Sequence, residues 1–74
     1  MAQSTNHKLN RAIAKRIKQL RKQKNVTLEV FYFDTGIHLA RIEQGKTNIT
    51  VSTLQNICEY FEISLSSFFT EIET

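Results

Sequence analysis

The side chains with the most chemistry to offer in this chain are cationic, and they are unevenly placed. All ten Lys and Arg fall within residues 1–46, where only Glu29, Asp34 and Glu43 oppose them; residues 47–74 carry Glu59, Glu62, Glu71 and Glu73 and no Lys or Arg. A formal net charge of +3 therefore hides a basic part joined to an acidic one. Such segregation suits a polyanion on one face and something else, such as a second subunit, on the other. The competing reading is that the cations only solvate helix surfaces. Catalysis has little to work with. The histidines are His7 and His38, the one cysteine is Cys58, and there are 2 Gly in all. No Ser, His and Asp set and no phosphate-cradling glycine loop can be assembled from these, and two histidines with one cysteine at unrelated positions make a poor zinc site. Neither enzymatic activity nor a cofactor, metal or small-molecule ligand is expected. A single cysteine forms no internal disulfide and fits a reducing compartment, so the expected location is cytoplasmic. No run approaches the roughly 20 apolar residues of a membrane span, and no apolar core of a secretory signal opens the chain.

The elements that must position these charges follow from length and periodicity. Seventy-four residues make one domain with a modest core, which favours binding by the outer surface over a recessed pocket. The absence of Pro and scarcity of Gly favour an all-α fold. Residues 1–7 read as a flexible N-terminal segment in which Ser4, Thr5 or Asn6 could cap a helix, 8–70 as the domain and 71–74 as a tail. From Lys8 to Lys24, Leu9, Ile13, Ile17 and Leu20 recur at helical spacing, with Asn25 as a left-handed stop. Thr27 caps a second helix to about Phe33, with Glu29 in its first turn. Phe31, Tyr32 and Phe33 favour a strand by propensity, but one strand would have no partner, so helix is preferred. Asp34-Thr35-Gly36 reads as a turn, and His38 to Gln44 as a third helix ended by Gly45, with Leu39 and Ile42 inward. Thr50 caps a fourth helix built on Leu54, Ile57, Cys58 and Phe61, and Ser64 a fifth containing Leu65, Phe68, Phe69 and Ile72. Cys58 is expected to be a small core residue.

Several short stretches in this order carry a family likeness. Ile17-Lys18-Gln19-Leu20-Arg21 closes the first helix and Val26-Thr27-Leu28-Glu29 opens the second. Arg41-Ile42-Glu43-Gln44-Gly45-Lys46 closes the third, and Ile63-Ser64-Leu65-Ser66-Ser67-Phe68-Phe69 forms the end. Joined in this order, they make the chain resemble the lambda-repressor-like helix-turn-helix domains of phage repressors, Cro and many bacterial regulators, over roughly residues 8 to 70. The resemblance implies a compact five-helix fold and a structural ion pair between Arg21 and Glu43, joining helices one and three. It also shows two departures. Thr27 and Glu43 lie about three positions closer than the family pattern, which shortens the turn or the first turn of the recognition helix; a helix shorter by three residues reaches about 4.5 Å less far at 1.5 Å per residue. Leu28 stands where the family usually has a Gln on the DNA backbone.

A helix-turn-helix places its second helix in the major groove and clamps phosphates with its surroundings. The resemblance therefore implies a sequence-specific regulator of transcription, of the repressor type, acting on double-stranded DNA. His38 and Arg41, three apart and opposite Leu39 and Ile42, are the expected groove contacts, and Arg41 can grip a guanine bidentately. Thr35 and Gln44 flank them. Thr27, with the free amides at its helix start, and Lys46, Thr47 and Asn48 are the expected phosphate contacts, with Lys15 and Arg16 as secondary ones. A homodimer is expected through Phe69 and Ile72, because paired half-sites require two recognition helices about 34 Å apart. The alternative is a protein-interaction module that keeps the scaffold without specific DNA binding.

Overall fold

A computed structural model describes residues 6–72 and contains five α-helices and no strand among them. Helix α1 (His7–Gln23) starts where the Asn6 side chain accepts a hydrogen bond from the Leu9 N–H. Ser4 and Thr5, the other possible caps, lie outside the described residues, as do most of the N-terminal segment and the end of the tail; His7 is the first helical residue. The inward face of α1 carries Asn10, Ile13, Ala14, Ile17 and Leu20. Its end is closed by Asn25 at φ 57, where the Val26 N–H reaches the Arg21 carbonyl at 3.0 Å and the Asn25 N–H reaches that of Lys22 at 3.1 Å. These two bonds satisfy carbonyls the helix would otherwise leave open.

Helix α2 (Leu28–Thr35) is capped by the Thr27 hydroxyl, which accepts from the Val30 N–H at 3.1 Å. It runs past Phe33, so Asp34 and Thr35 belong to the helix and the turn is shorter than Asp34-Thr35-Gly36 suggested. The reason is local: the Thr35 hydroxyl donates to the Phe31 carbonyl at 2.8 Å, prolonging the last turn, and accepts from the Ile37 N–H at 3.1 Å. The reversal falls to Gly36 at φ 75, whose N–H bonds the Tyr32 carbonyl at 2.7 Å.

Helix α3 (Leu39–Glu43) is shorter at both ends than its sequence pattern suggested. His38 sits outside it as the cap residue, without a side-chain capping bond, and Gln44 closes it ahead of Gly45 at φ 75. Helix α4 (Val51–Tyr60) is capped by Thr50 and helix α5 (Leu65–Thr70) by Ser64, each hydroxyl accepting from the N–H three residues on. Ile72 lies beyond α5.

The core unites all five elements. Phe31, Phe61 and Phe68 are fully enclosed, together with Ile17, Leu39, Ile57 and Cys58. Phe31 is what holds α2, whose other side chains are half-buried or exposed; its ring meets Tyr60 edge-on at 4.6 Å and lies against Phe61 at 5.5 Å. Enclosing such a side chain stabilises the fold by about 1.5–3 kcal/mol, enough to override the strand propensity of three consecutive aromatics. A second tie joins α4 to α2, where the Tyr60 hydroxyl donates to the Asp34 carboxylate at 2.6 Å. That bond, burial and the carboxylate's charge all raise the Tyr60 pKa above its ordinary value. Burial also pushes up the pKa of the Cys58 thiol, partly opposed by the charge of Arg16.

Candidate nucleic-acid interface

The interface rests on how α3 is fixed to the rest of the molecule. The Arg21 guanidinium grips the Glu43 carboxylate with two nitrogens, Nε to Oε2 at 2.8 Å and Nη2 to Oε1 at 3.1 Å, while Nη1 donates to the Val26 carbonyl at 3.0 Å. The two side chains are 12% and 9% exposed, so the pair lies in poorly solvated surroundings. Its hydrogen bond to Glu43 raises the pKa of Arg21 further above its already high value, against the opposing effect of burial. One residue thus locks α3 to α1 and fixes the corner where α2 begins. Two residues beyond Glu43, Gly45 is buried against α1: a Cβ there would lie 3.1 Å from Arg11 Cγ and 3.3 Å from its Cα. Glycine is favoured twice over, by the positive φ and by this close approach.

With its inner side fixed, α3 turns His38, Ala40, Arg41 and Gln44 outward, all exposed, while Leu39 is buried and Ile42 half-buried. Arg41 is thus exposed within a helix of five residues, with His38 and Gln44 exposed at its two ends. The imidazole of His38 stacks on the Tyr32 ring of α2 at a centroid distance of 4.4 Å and an interplanar angle of 30°. Thr35 is placed differently. It is half-buried, and its hydroxyl is engaged in the two backbone bonds that end α2.

The loop after α3 presents Lys46, Thr47 and Asn48, all exposed. It is anchored by a bond from the Asn10 amide to the Asn48 side-chain oxygen at 2.8 Å, with Asn10 only 8% exposed. Asn48 thereby holds the loop to α1 while its own amide nitrogen is left to donate. Thr27, before α2, uses its hydroxyl as a cap, accepting from the Val30 N–H.

Two open grooves bring further cations to these positions. One is lined by Arg11, Lys15, Lys18, Gln44 and Gly45, placing one face of α1 beside the end of α3. The other is lined by Arg21, Lys22, Asn25 and Thr27 with Glu29, placing Lys22 beside the start of α2. Arg11, Lys18 and Lys22 read from the sequence as part of the basic face of the first helix and not as contacts of their own. Arg11, Lys15 and Lys18 recur at i, i+4 and i+7, the spacing of one helix face, and that signal could have found them. Arg16 faces another way: it is half-buried and lines a small cleft with Gln19, Glu71 and Ile72, which removes it from the groove beside α3.

A helix-turn-helix family model matches residues 17–68, from the middle of α1 to the buried Phe68 of α5. The chain belongs to the lambda-repressor-like helix-turn-helix family. No curated protein and no solved structure gave a match. As a member, the chain carries a DNA-binding fold of transcription regulators. No helix among the described residues is long and apolar enough to cross a membrane. The dimer surface expected from the sequence divides between two environments. Phe69 is 47% exposed and meets Phe68 edge-on, whereas Ile72 is half-buried against the core beside α1. Among the described residues, Phe33 of α2 is the most exposed large apolar residue at 90%, with Val30 at 48% one turn before it.

Proposed function

We propose that this helix-turn-helix protein is a sequence-specific repressor-type regulator that reads double-stranded DNA as a homodimer, with α3 in the major groove. The observation that carries the reading is the exposure of Arg41 on a helix pinned from behind by Arg21 and Glu43, with His38 and Gln44 exposed at its two ends. Rigid backing matters because a hydrogen bond to a base edge discriminates only if its donor is held in place. Arg41 donates to guanine and His38 contacts the neighbouring base edge. Lys46, Thr47 and the free amide of Asn48 contact one run of phosphates, and the amides of α2 with Lys22 another. Thr35 serves the turn and leaves base reading to these residues.

Selection from a pool of random duplexes tests the division of roles. Arg41→Ala is expected to flatten the preference at one base pair, at a cost of about 1–3 kcal/mol. Lys46→Ala is expected to weaken all sequences alike. Identical changes of profile in both variants would refute the division. Phe69 supplies the dimer contact in this reading, and two half-sites about one helical turn apart in the selected sequence are its expected mark.

A second reading draws support from α2. An exposed Phe33 with Val30 beside it on one helix face is the kind of surface that docks another protein, and it suits an interaction module on the same scaffold. That reading gains if the selection returns no common sequence.

A further inference from the structure

The third helix spans only five residues, and an aromatic pair flanks its start. Tyr32, on α2, lays its ring against His38 at 4.4 Å and 30°. Both residues are exposed, Tyr32 at 48%, although a stacked aromatic pair serving only the core would be enclosed. Nor is the pair needed to cap α3, since the His38 side chain makes no capping bond. The core end of α2 is held by Phe31 instead, which is fully buried. What the pair does is present a stiff, exposed aromatic surface between α2 and the start of α3. Two χ angles and a stacked neighbour leave that surface little conformational freedom to lose on binding.

We infer that Tyr32 is a further specificity-determining residue, which together with His38 packs against the 5-methyl group of a thymine in the major groove. This rests on the DNA-binding reading and adds to it a residue of the second helix. An apolar side chain against that methyl group is the one contact by which the groove distinguishes thymine without a hydrogen bond. Tyr32 is suited to it because its ring lies beside His38, while Arg41 covers the next turn of surface. Removing the ring also frees His38 to turn, so the base beside the thymine is read less sharply.

The test uses the full chain and the duplex returned by selection, with each thymine replaced in turn by uracil, which removes only the methyl group. Wild-type protein is expected to lose about fourfold in affinity at one thymine of each half-site, the worth of one buried methyl group. Tyr32→Ala should bind the thymine duplex about fourfold more weakly and be indifferent to uracil at that position. Tyr32→Phe keeps the ring and should behave as wild type, which preserves the test should the alanine variant fold poorly. The inference is overturned if no uracil position separates wild type from Tyr32→Ala, if Tyr32→Ala weakens every duplex equally, or if Tyr32→Phe loses the uracil response. A wild-type protein with no preferred duplex would instead bring down the DNA-binding reading, and this inference with it.

Discussion

At the scale of single residues the account turns on Arg21 and Glu43. A guanidinium with three nitrogens engaged and a carboxylate with both oxygens engaged leave each other badly matched if either is removed. Glu43→Gln keeps the shape but gives up the charge and one acceptor, so it should destabilise the fold by about 3 kcal/mol, the lower end for breaking a buried pair. Chemical denaturation measures this, and a loss below about 1 kcal/mol, typical of a solvent-exposed pair, would contradict it. Arg21→Lys should fail to rescue, because an ammonium lacks the fork that meets the carboxylate and the Val26 carbonyl together. This pair was legible in the sequence through the family likeness. The opposite holds for Asn48, which reads as a phosphate contact but also ties its loop to Asn10 across 38 positions, a contact only the folded chain reveals. Thr35 reads as flanking the groove contacts, and the fold also uses its hydroxyl in two backbone bonds at the end of α2.

At the scale of elements, the caps and turns explain why five short helices suffice. Gly36 and Gly45 both sit at φ 75, but nothing lies within 4 Å of a Cβ at Gly36, while one at Gly45 would crowd Arg11. Gly36→Ala should therefore cost only the left-handed backbone, about 1–2 kcal/mol, and Gly45→Ala distinctly more than Gly36→Ala. Thermal melts of the two variants compare them, and equal losses would mean that α1 can draw back from the loop. The hydroxyl caps at Thr27, Thr50 and Ser64 were legible because each precedes a periodic apolar run. The stop after α4 was not. Glu62 adopts φ 60 with the Ile63 N–H on the Cys58 carbonyl at 3.0 Å, the geometry that Asn25 and Val26 adopt after α1. Asparagine signals that conformation and glutamate does not. The end of α2 shifted because a side chain bonding back to the helix, as in Thr35, decides whether a polar residue ends a helix or extends it.

For the whole molecule, the apolar rhythm made the order of the helices legible, whereas the surfaces they leave uncovered were less so. Three aromatics in succession on α2 take three different places: Phe31 inside, Tyr32 against His38 and Phe33 exposed. No periodicity assigns those places, because a helix apolar on every side has no preferred face. The charge division was plain from the start, and the fold gathers part of the basic half, Arg11, Lys15 and Lys18, beside α3. These cations alone would bind any duplex, through release of the ions that surround phosphates. The distinguishing claim is that α3 adds a reading of sequence. Its most direct test is the affinity for the selected duplex and for a scrambled duplex of the same composition, measured across a range of salt concentration. Both affinities should fall steeply as salt rises, with the selected duplex bound at least roughly a thousandfold more tightly throughout. Two curves that coincide at every salt concentration would mean a basic protein with a helix-turn-helix fold that does not read DNA.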